Sequence, residues 1–266
     1  MIFTIRNRKI FRKIVAGIFA ALFWVGVWQM VYLTVGLEIL VASPAQVWKR
    51  LLELVFQREF WLTVLFSMCR IVEGFLLGVF LGIVAAVFSE ISTIAQALIR
   101  PMVSIIKATP VASFIILALV WMKSQMVPVF ASALIVLPIL WTNLSEGIEK
   151  TDNGLLQMAK MYGFGTIGTV RSVYLPSVLP YFTAACTAGM GMAWKGGVAA
   201  EVLSSLPLSL GGEIYRSKIY LETVDLFAWT AVVILLSVLL ERALLWTVEA
   251  VGKRYGFYSA EVGHEN

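Results

Sequence analysis

Long apolar runs separated by short charged segments constrain this chain more than any other feature. A membrane span needs ~20 mostly apolar residues, whereas ~10–14 mark a buried or interfacial segment. Several runs reach the longer length, the first being Ile14–Leu40. Across all 266 residues, 60% are hydrophobic and 14% charged, and the mean hydropathy is +0.87. Soluble domains average ~25% charged residues, so water cannot be the solvent on every side. The expectation is an all-α, polytopic membrane protein forming one transmembrane domain over residues 1–266.

Six spans are expected, at roughly 14–36, 62–88, 102–122, 126–147, 177–199 and 225–249. An even number leaves both termini on one face, and the bias of lysine and arginine between connections says which face is cytoplasmic. The N-terminal tail (1–13), the 89–107 connection, the 148–176 loop and the C-terminal end together carry 13 such residues; the other face carries six. Both tails, 1–13 and 250–266, and the 148–176 loop are therefore expected in the cytoplasm of a bacterial cell, with the inner membrane as the location. Basic residues grouped at span ends also explain the net charge of +5 without invoking nucleic acid, for which no exposed basic face with interleaved aromatics is present. Arg6, Arg8, Lys9, Arg12 and Lys13 precede the first run like a signal peptide. That run exceeds the usual 7–15-residue apolar core and no small-residue cleavage site follows promptly, so it reads as a retained helix.

Cys69 and Cys186 lie within apolar segments without a C-x-x-C pattern and read as small buried hydrophobes. His264 is the sole histidine, which rules out a multi-histidine metal site; no metal and no cofactor are expected on this chain. Between the first two spans, Ser43-Pro44 signals a helix start: serine caps, and proline suits the first turn. The following segment is amphipathic and carries Trp48, so residues 41–60 are expected to hold a short interfacial helix on the outer face. Gly74, Gly78 and Gly82 recur every four residues, placing three glycines on one face. That stripe serves either a specific tight seam or ordinary packing between membrane helices.

The polar island between the fourth and fifth runs is the most informative segment. Thr151 or Asp152 can cap a short helix in which Leu155, Met158, Ala159 and Tyr162 share one apolar stripe. Gly163 is placed to end it. A second helical stretch, Thr166–Tyr174, is expected to run until Pro176 and Pro180 reset the chain. Such an apolar face in water either docks on another protein or lies on the inner membrane surface.

The island reads Gln157-Met158-Ala159-Lys160-Met161-Tyr162-Gly163, nine residues, then Val173-Tyr174-Leu175-Pro176. This resembles the E-A-A-x3-G-x9-I-x-L-P loop of binding-protein-dependent ABC importer permeases. Gln157 and Met158 stand where that family usually has glutamate and alanine, and Val173 stands in for isoleucine; Ala159, Gly163, Leu175 and Pro176 agree. Val41-Ala42-Ser43-Pro44, Arg70-x3-Gly74-Phe75 and Ala193-Trp194 through Ala200-Glu201 are similar to segments of the nitrate/sulfonate/taurine-type permeases, so the likeness covers about 41–250. The resemblance implies a type I importer fold. It also implies a second copy of the chain, a dimer of ATPase subunits that bind the ATP, and an external substrate-binding protein. Coupling to the ATPase would fall to Leu155, Gln157, Met158, Ala159, Lys160, Tyr162, Gly163, Leu175 and Pro176.

Charges within the spans complete the picture. Arg70 and Glu73, spaced i, i+3, are expected to neutralise each other as a structural pair. Lys195 and Glu201 lie near the outer end of the fifth span, which in the family lines the translocation route. Lys195 either attracts an anionic solute there or snorkels, or pairs with Glu201. Gly163-Phe164-Gly165-Thr166-Ile167-Gly168 spells a dinucleotide fingerprint but follows a helix, not a strand, and reads as a turn. Asn143-Leu144-Ser145 lies in a span end, and no P-loop occurs. An intramembrane enzyme would need facing catalytic groups that the spans lack. A vitamin-type transporter scaffold would carry Ala-Arg-Gly coupling motifs, which are absent.

Overall fold

The computed structural model describes residues 2–254, and every regular element among them is helical. Residues 255–266, including His264 and most of the expected C-terminal tail, lie outside the described residues. In chain order the helices are α1 (Ile2–Val35), α2 (Pro44–Val55), α3 (Arg58–Ile91), α4 (Thr93–Ala108), α5 (Val111–Trp121) and α6 (Val127–Glu149). There follow α7 (Asn153–Met161), α8 (Thr166–Thr169), α9 (Leu175–Leu203), α10 (Leu210–Ile219) and α11 (Thr223–Arg254).

Four helices are long and apolar enough to cross a bilayer, at 15–35, 58–91, 124–149 and 223–247, and a fifth crossing is counted if α4 and α5 form one broken span. The six expected crossings are therefore not matched one for one. The third expected span, 102–122, is two helices whose axes bend by 104°. Pro110 is responsible: it lacks an N–H and pushes Thr109 out of the helical region, to φ −90° and ψ 133°. The fifth, 177–199, lies inside the 29-residue α9. That helix is long enough but is not among the helices apolar enough to be counted.

The chain divides into two compact units. The first comprises residues 1–61 and 213–232. Its α2 starts as the sequence requires: Ser43 accepts from the Gln46 N–H at 3.2 Å while the Gln46 side chain accepts from the Ser43 N–H at 2.9 Å, a reciprocal capping box with Pro44 in the first turn. Val47 and Leu54 are buried and Trp48 is exposed. Arg50 grips Asp225 of α11 with two bonds, Nε to Oδ1 at 2.6 Å and Nη2 to Oδ2 at 2.8 Å. Trp28 donates to the Ala42 carbonyl at 3.0 Å and stacks on Phe227, while Phe60 stacks on Trp229.

Among the described residues the second unit comprises 62–212 and 233–254. Its centre is α6 packed on α9 and on the glycine stripe of α3. A Cβ at Gly78 would come within 2.7 Å of the Val136 Cβ and 2.8 Å of the Ala133 carbonyl; one at Gly82 would come within 2.5 Å of the Leu140 Cβ. Gly74 meets Val129 and Ser132 in the same way. The stripe is thus an intrachain seam in which α3 and α6 approach too closely for any side chain. In lipid, where apolar side chains gain nothing by leaving water, such close packing is what joins helices. Ser132 donates to the Ala193 carbonyl at 3.1 Å, and the indole of the fully enclosed Trp194 donates to the Val233 carbonyl at 3.1 Å. Ile115 and Ala118 of α5 pack with Val127 and Ala131 of α6 and Ala200 of α9.

Candidate coupling site and intramembrane charges

The loop leaving α6 builds a separate short helix. Asp152, in extended backbone, accepts from the Gly154 N–H at 2.7 Å and caps α7. Thr151 is instead buried, its hydroxyl donating to the Gly147 carbonyl at 3.1 Å. At the C-terminus Gly163 takes φ +72°. The Phe164 N–H then reaches the Ala159 carbonyl at 2.9 Å and the Gly163 N–H reaches Lys160 at 3.2 Å. These two bonds are the Schellman stop, in which a left-handed residue turns the chain back over the last turn. Before the loop, Glu146 accepts from Lys150 at 2.5 Å and holds that ammonium's pKa above its ordinary value.

Ala159 faces inward at 5% exposure, while Leu155 (45%), Met158 (52%) and Tyr162 (76%) remain open along with Gln157 and Lys160. Three of the four residues of the apolar stripe therefore leave much of their surface uncovered by the described residues. Met161, Phe164 and Ile167 extend the open apolar surface past the turn.

The exit from the loop differs from expectation. Pro176 does not break the chain: α8, a π-turn at Val170–Tyr174 and α9 form one helical stretch. The Leu175 N–H bonds to Val170, five residues back. The extra residue shifts the register where Pro176 has no N–H to offer, so the missing bond falls in the widened turn. Leu175 is half-exposed and Pro176 lies in the first turn of α9.

The expected Arg70–Glu73 pair does not form. Arg70 turns to Glu201 of α9, with Nη1 3.4 Å from Oε1, and Glu73 is exposed. The reason is burial: the Glu201 side chain is fully enclosed, and a buried carboxyl must collect donors, whereas Glu73 has none of that need. Ser67 donates to Glu201 Oε2 at 2.9 Å, the Gly211 N–H does so at 3.1 Å, and Ser67 in turn accepts from the Leu210 N–H at 2.8 Å. Arg70 also donates to the Leu208 carbonyl at 3.3 Å. This network pins the 204–210 segment, whose Ser205 (φ 47°) and Leu208 (φ 51°) hold left-handed backbone that non-glycine residues adopt only where surroundings impose it. Glu201 is thus taken up by α3 and this segment and does not pair with Lys195, which is exposed. Ser67, one turn before Arg70, was the readable hint; the Gly211 amide left no trace in the sequence.

The profile of the family described as the binding-protein-dependent transport system inner membrane component matches residues 78–253, from the glycine stripe to the end of α11. A probable ABC transporter permease protein of Brucella melitensis is 25% identical over 225 residues, covering 84% of this chain and 90% of the relative. The putative aliphatic sulfonates transport permease protein SsuC of Escherichia coli is 28% identical over 183 residues, covering 68% of this chain and 70% of the relative. Among solved structures, that of an amino acid ABC transporter with histidines shares the fold at a TM-score of 0.56 and 14% identity, covering 71% of this chain and 90% of the other. The capped loop helix, the apolar spans and these matches lead to one conclusion: the chain belongs to the binding-protein-dependent ABC transporter permeases, resembles those named for sulfonate and taurine transport, and is a membrane permease component, not an enzyme.

Proposed function

We propose that this permease works in an importer, passing a small anionic or vitamin-precursor-like solute from an external binding protein into the cytoplasm. The observation that carries the reading is α7: a short, capped helix with an open apolar face, held between α6 and the α8–α9 helix. A separate ATPase dimer supplies the groove for Leu155, Met158 and Tyr162, with Gln157 and Lys160 at its margin. Ala159, Gly163, Leu175 and Pro176 set the shape and exit of the loop. Two copies of the chain in the lipid bilayer form the passage, and closure of the ATPases on ATP rocks the helices between outward- and inward-open states. The charge asymmetry of the connections supports a cytoplasmic position for both termini and for α7. Lys195 stands near the outer mouth, and Glu201 holds the end of α9 that carries it. The relative that transports aliphatic sulfonates favours an anionic solute.

The test is direct. A thiol engineered at Lys160 should react only with reagent delivered to the cytoplasmic side, and Met158→Glu with Tyr162→Glu should abolish co-purification of the ATPase while the permease still inserts. Labelling from outside, or ATPase binding untouched by both charges, would overturn the proposal.

A further inference from the structure

The break between α4 and α5 places a charge at an unusual depth. Lys107 sits one residue before the end of α4, and its Nζ lies 2.6 Å from the Thr142 hydroxyl of α6. That hydroxyl donates to the Pro138 carbonyl at 2.7 Å, so its oxygen is free to accept from the ammonium. Thr142 lies seven residues before the end of the 124–149 crossing, about 10 Å at 1.5 Å per residue. The crossing is ~39 Å long against ~30 Å of hydrocarbon; centred on the bilayer, it carries the Thr142 hydroxyl ~6 Å inside the apolar layer. Lysine at such depth usually snorkels to water; here its ammonium is turned onto the Thr142 hydroxyl.

No carboxylate neutralises Lys107 among the ion pairs of the described residues, and the lysine side chain is exposed on this chain. One helical turn further along α6, Ser145 Oγ is buried without a hydrogen-bond partner. Ser104, whose hydroxyl donates to the Arg100 carbonyl at 2.9 Å, and Ser113 lie exposed on either side of the break. Charges at bilayer depth face a bundle interior or a hydrated cavity, and mark the route of the transported species. Broken helices are the usual means of bringing polar groups to that depth.

We propose that Lys107, held by Thr142 at the α4–α5 break, is an anion-binding group on the translocation route, taking the sulfonate or carboxylate of a small solute. This rests on the permease reading and deepens it. Two of the three ammonium protons remain for the anion, and the hydroxyls around the break complete its solvation. The site differs from Lys195, which stands at the opposite, outer end of α9.

A local probe separates this proposal from the importer reading. In full-length protein in membrane vesicles with Cys69→Ser and Cys186→Ala, Thr142→Cys is treated with the anionic sulfonatoethyl and the cationic trimethylammonioethyl methanethiosulfonates. With Lys107 present the anionic reagent should react at least ~30-fold faster relative to the cationic one, the least expected of a unit charge about 4 Å away that attracts one reagent and repels the other even with the screening of bulk water. Lys107→Met and Lys107→Gln should each level the two rates to within ~2-fold, and Lys107→Arg should keep the preference. A cysteine at 142 that reacts with neither reagent, or a preference unchanged by the neutral substitutions, would overturn the site. Absence of ATP-driven uptake by the transporter with Thr142 and Lys107 unsubstituted, with the charge preference intact in the cysteine protein, would instead count against the importer reading alone.

Discussion

Glu201 offers the sharpest test of how the permease is held together. Its carboxyl takes bonds from Ser67, Gly211 and Arg70, and its side chain is 0% exposed against 17% for Arg70. Glu201→Leu leaves the Ser67 hydroxyl and the Gly211 amide without their acceptor and Arg70 without its counter-charge. Breaking a buried pair by removing one partner costs ~3–5 kcal/mol, and each orphaned donor alone costs ~1–3 kcal/mol. The 3.4 Å Arg70–Glu201 separation is long, so the lower end, ~3 kcal/mol, is expected. Glu201→Gln keeps the shape but offers one acceptor oxygen to three donors, and should cost ~1–3 kcal/mol. Arg70→Met added to Glu201→Leu should recover ~1–2 kcal/mol, because an unpaired buried cation is removed. The measurement is reversible unfolding in mixed detergent–SDS micelles followed by tryptophan fluorescence. A Glu201→Leu protein within ~0.5 kcal/mol of the parent, or a double variant equal to the sum of the singles, would refute the reasoning.

Other predictions follow from particular contacts. Gly78→Ala should destabilise by ~1–3 kcal/mol through overpacking against Val136 and Ala133. Gly17→Ala, whose Cβ would meet nothing within 4 Å inside α1, should cause no destabilisation in the same assay, since alanine is the better helix former. Arg50→Ala and Asp225→Asn should show a coupling energy of ~1–2 kcal/mol in a double-mutant cycle, since the two-bond grip between them is partly buried; purely additive effects would mean the pair contributes nothing. Lys195→Met should lower uptake by the assembled transporter with no loss of ATPase co-purification, and unchanged uptake would remove Lys195 from the route.

Local features were the legible ones. Ser43-Pro44 announced α2 because a cap is made by neighbours in sequence, and Gly163 announced the end of α7 because a left-handed stop needs a residue without a side chain. The family likeness at 157–176 rested on the same local grammar. Pro110 was visible too, yet an apolar run reads as one span whether or not a proline divides it, so the α4–α5 bend went unforeseen. Pro176 misled in the opposite sense: proline ordinarily ends a helix, and only a π-turn, which has no composition of its own, lets the chain continue. The site was less readable than the fold. An i, i+3 rule paired Arg70 with Glu73, and the count of cations between spans took Lys107 as a charge of the 89–107 connection.

Residue chemistry and periodicity alone determined that the chain lives in a bilayer, is helical, and carries a capped apolar helix on a polar island. They do so because hydrocarbon thickness, helix capping and amphipathic spacing act over neighbouring residues. Tertiary structure alone decided which cation meets Glu201, that the glycine stripe of α3 seats against α6, and that Lys107 meets Thr142. Those partners stand 131, about 60 and 35 residues apart in sequence, and in a medium where an unpaired charge is costly, the choice among them belongs to whichever helices pack together.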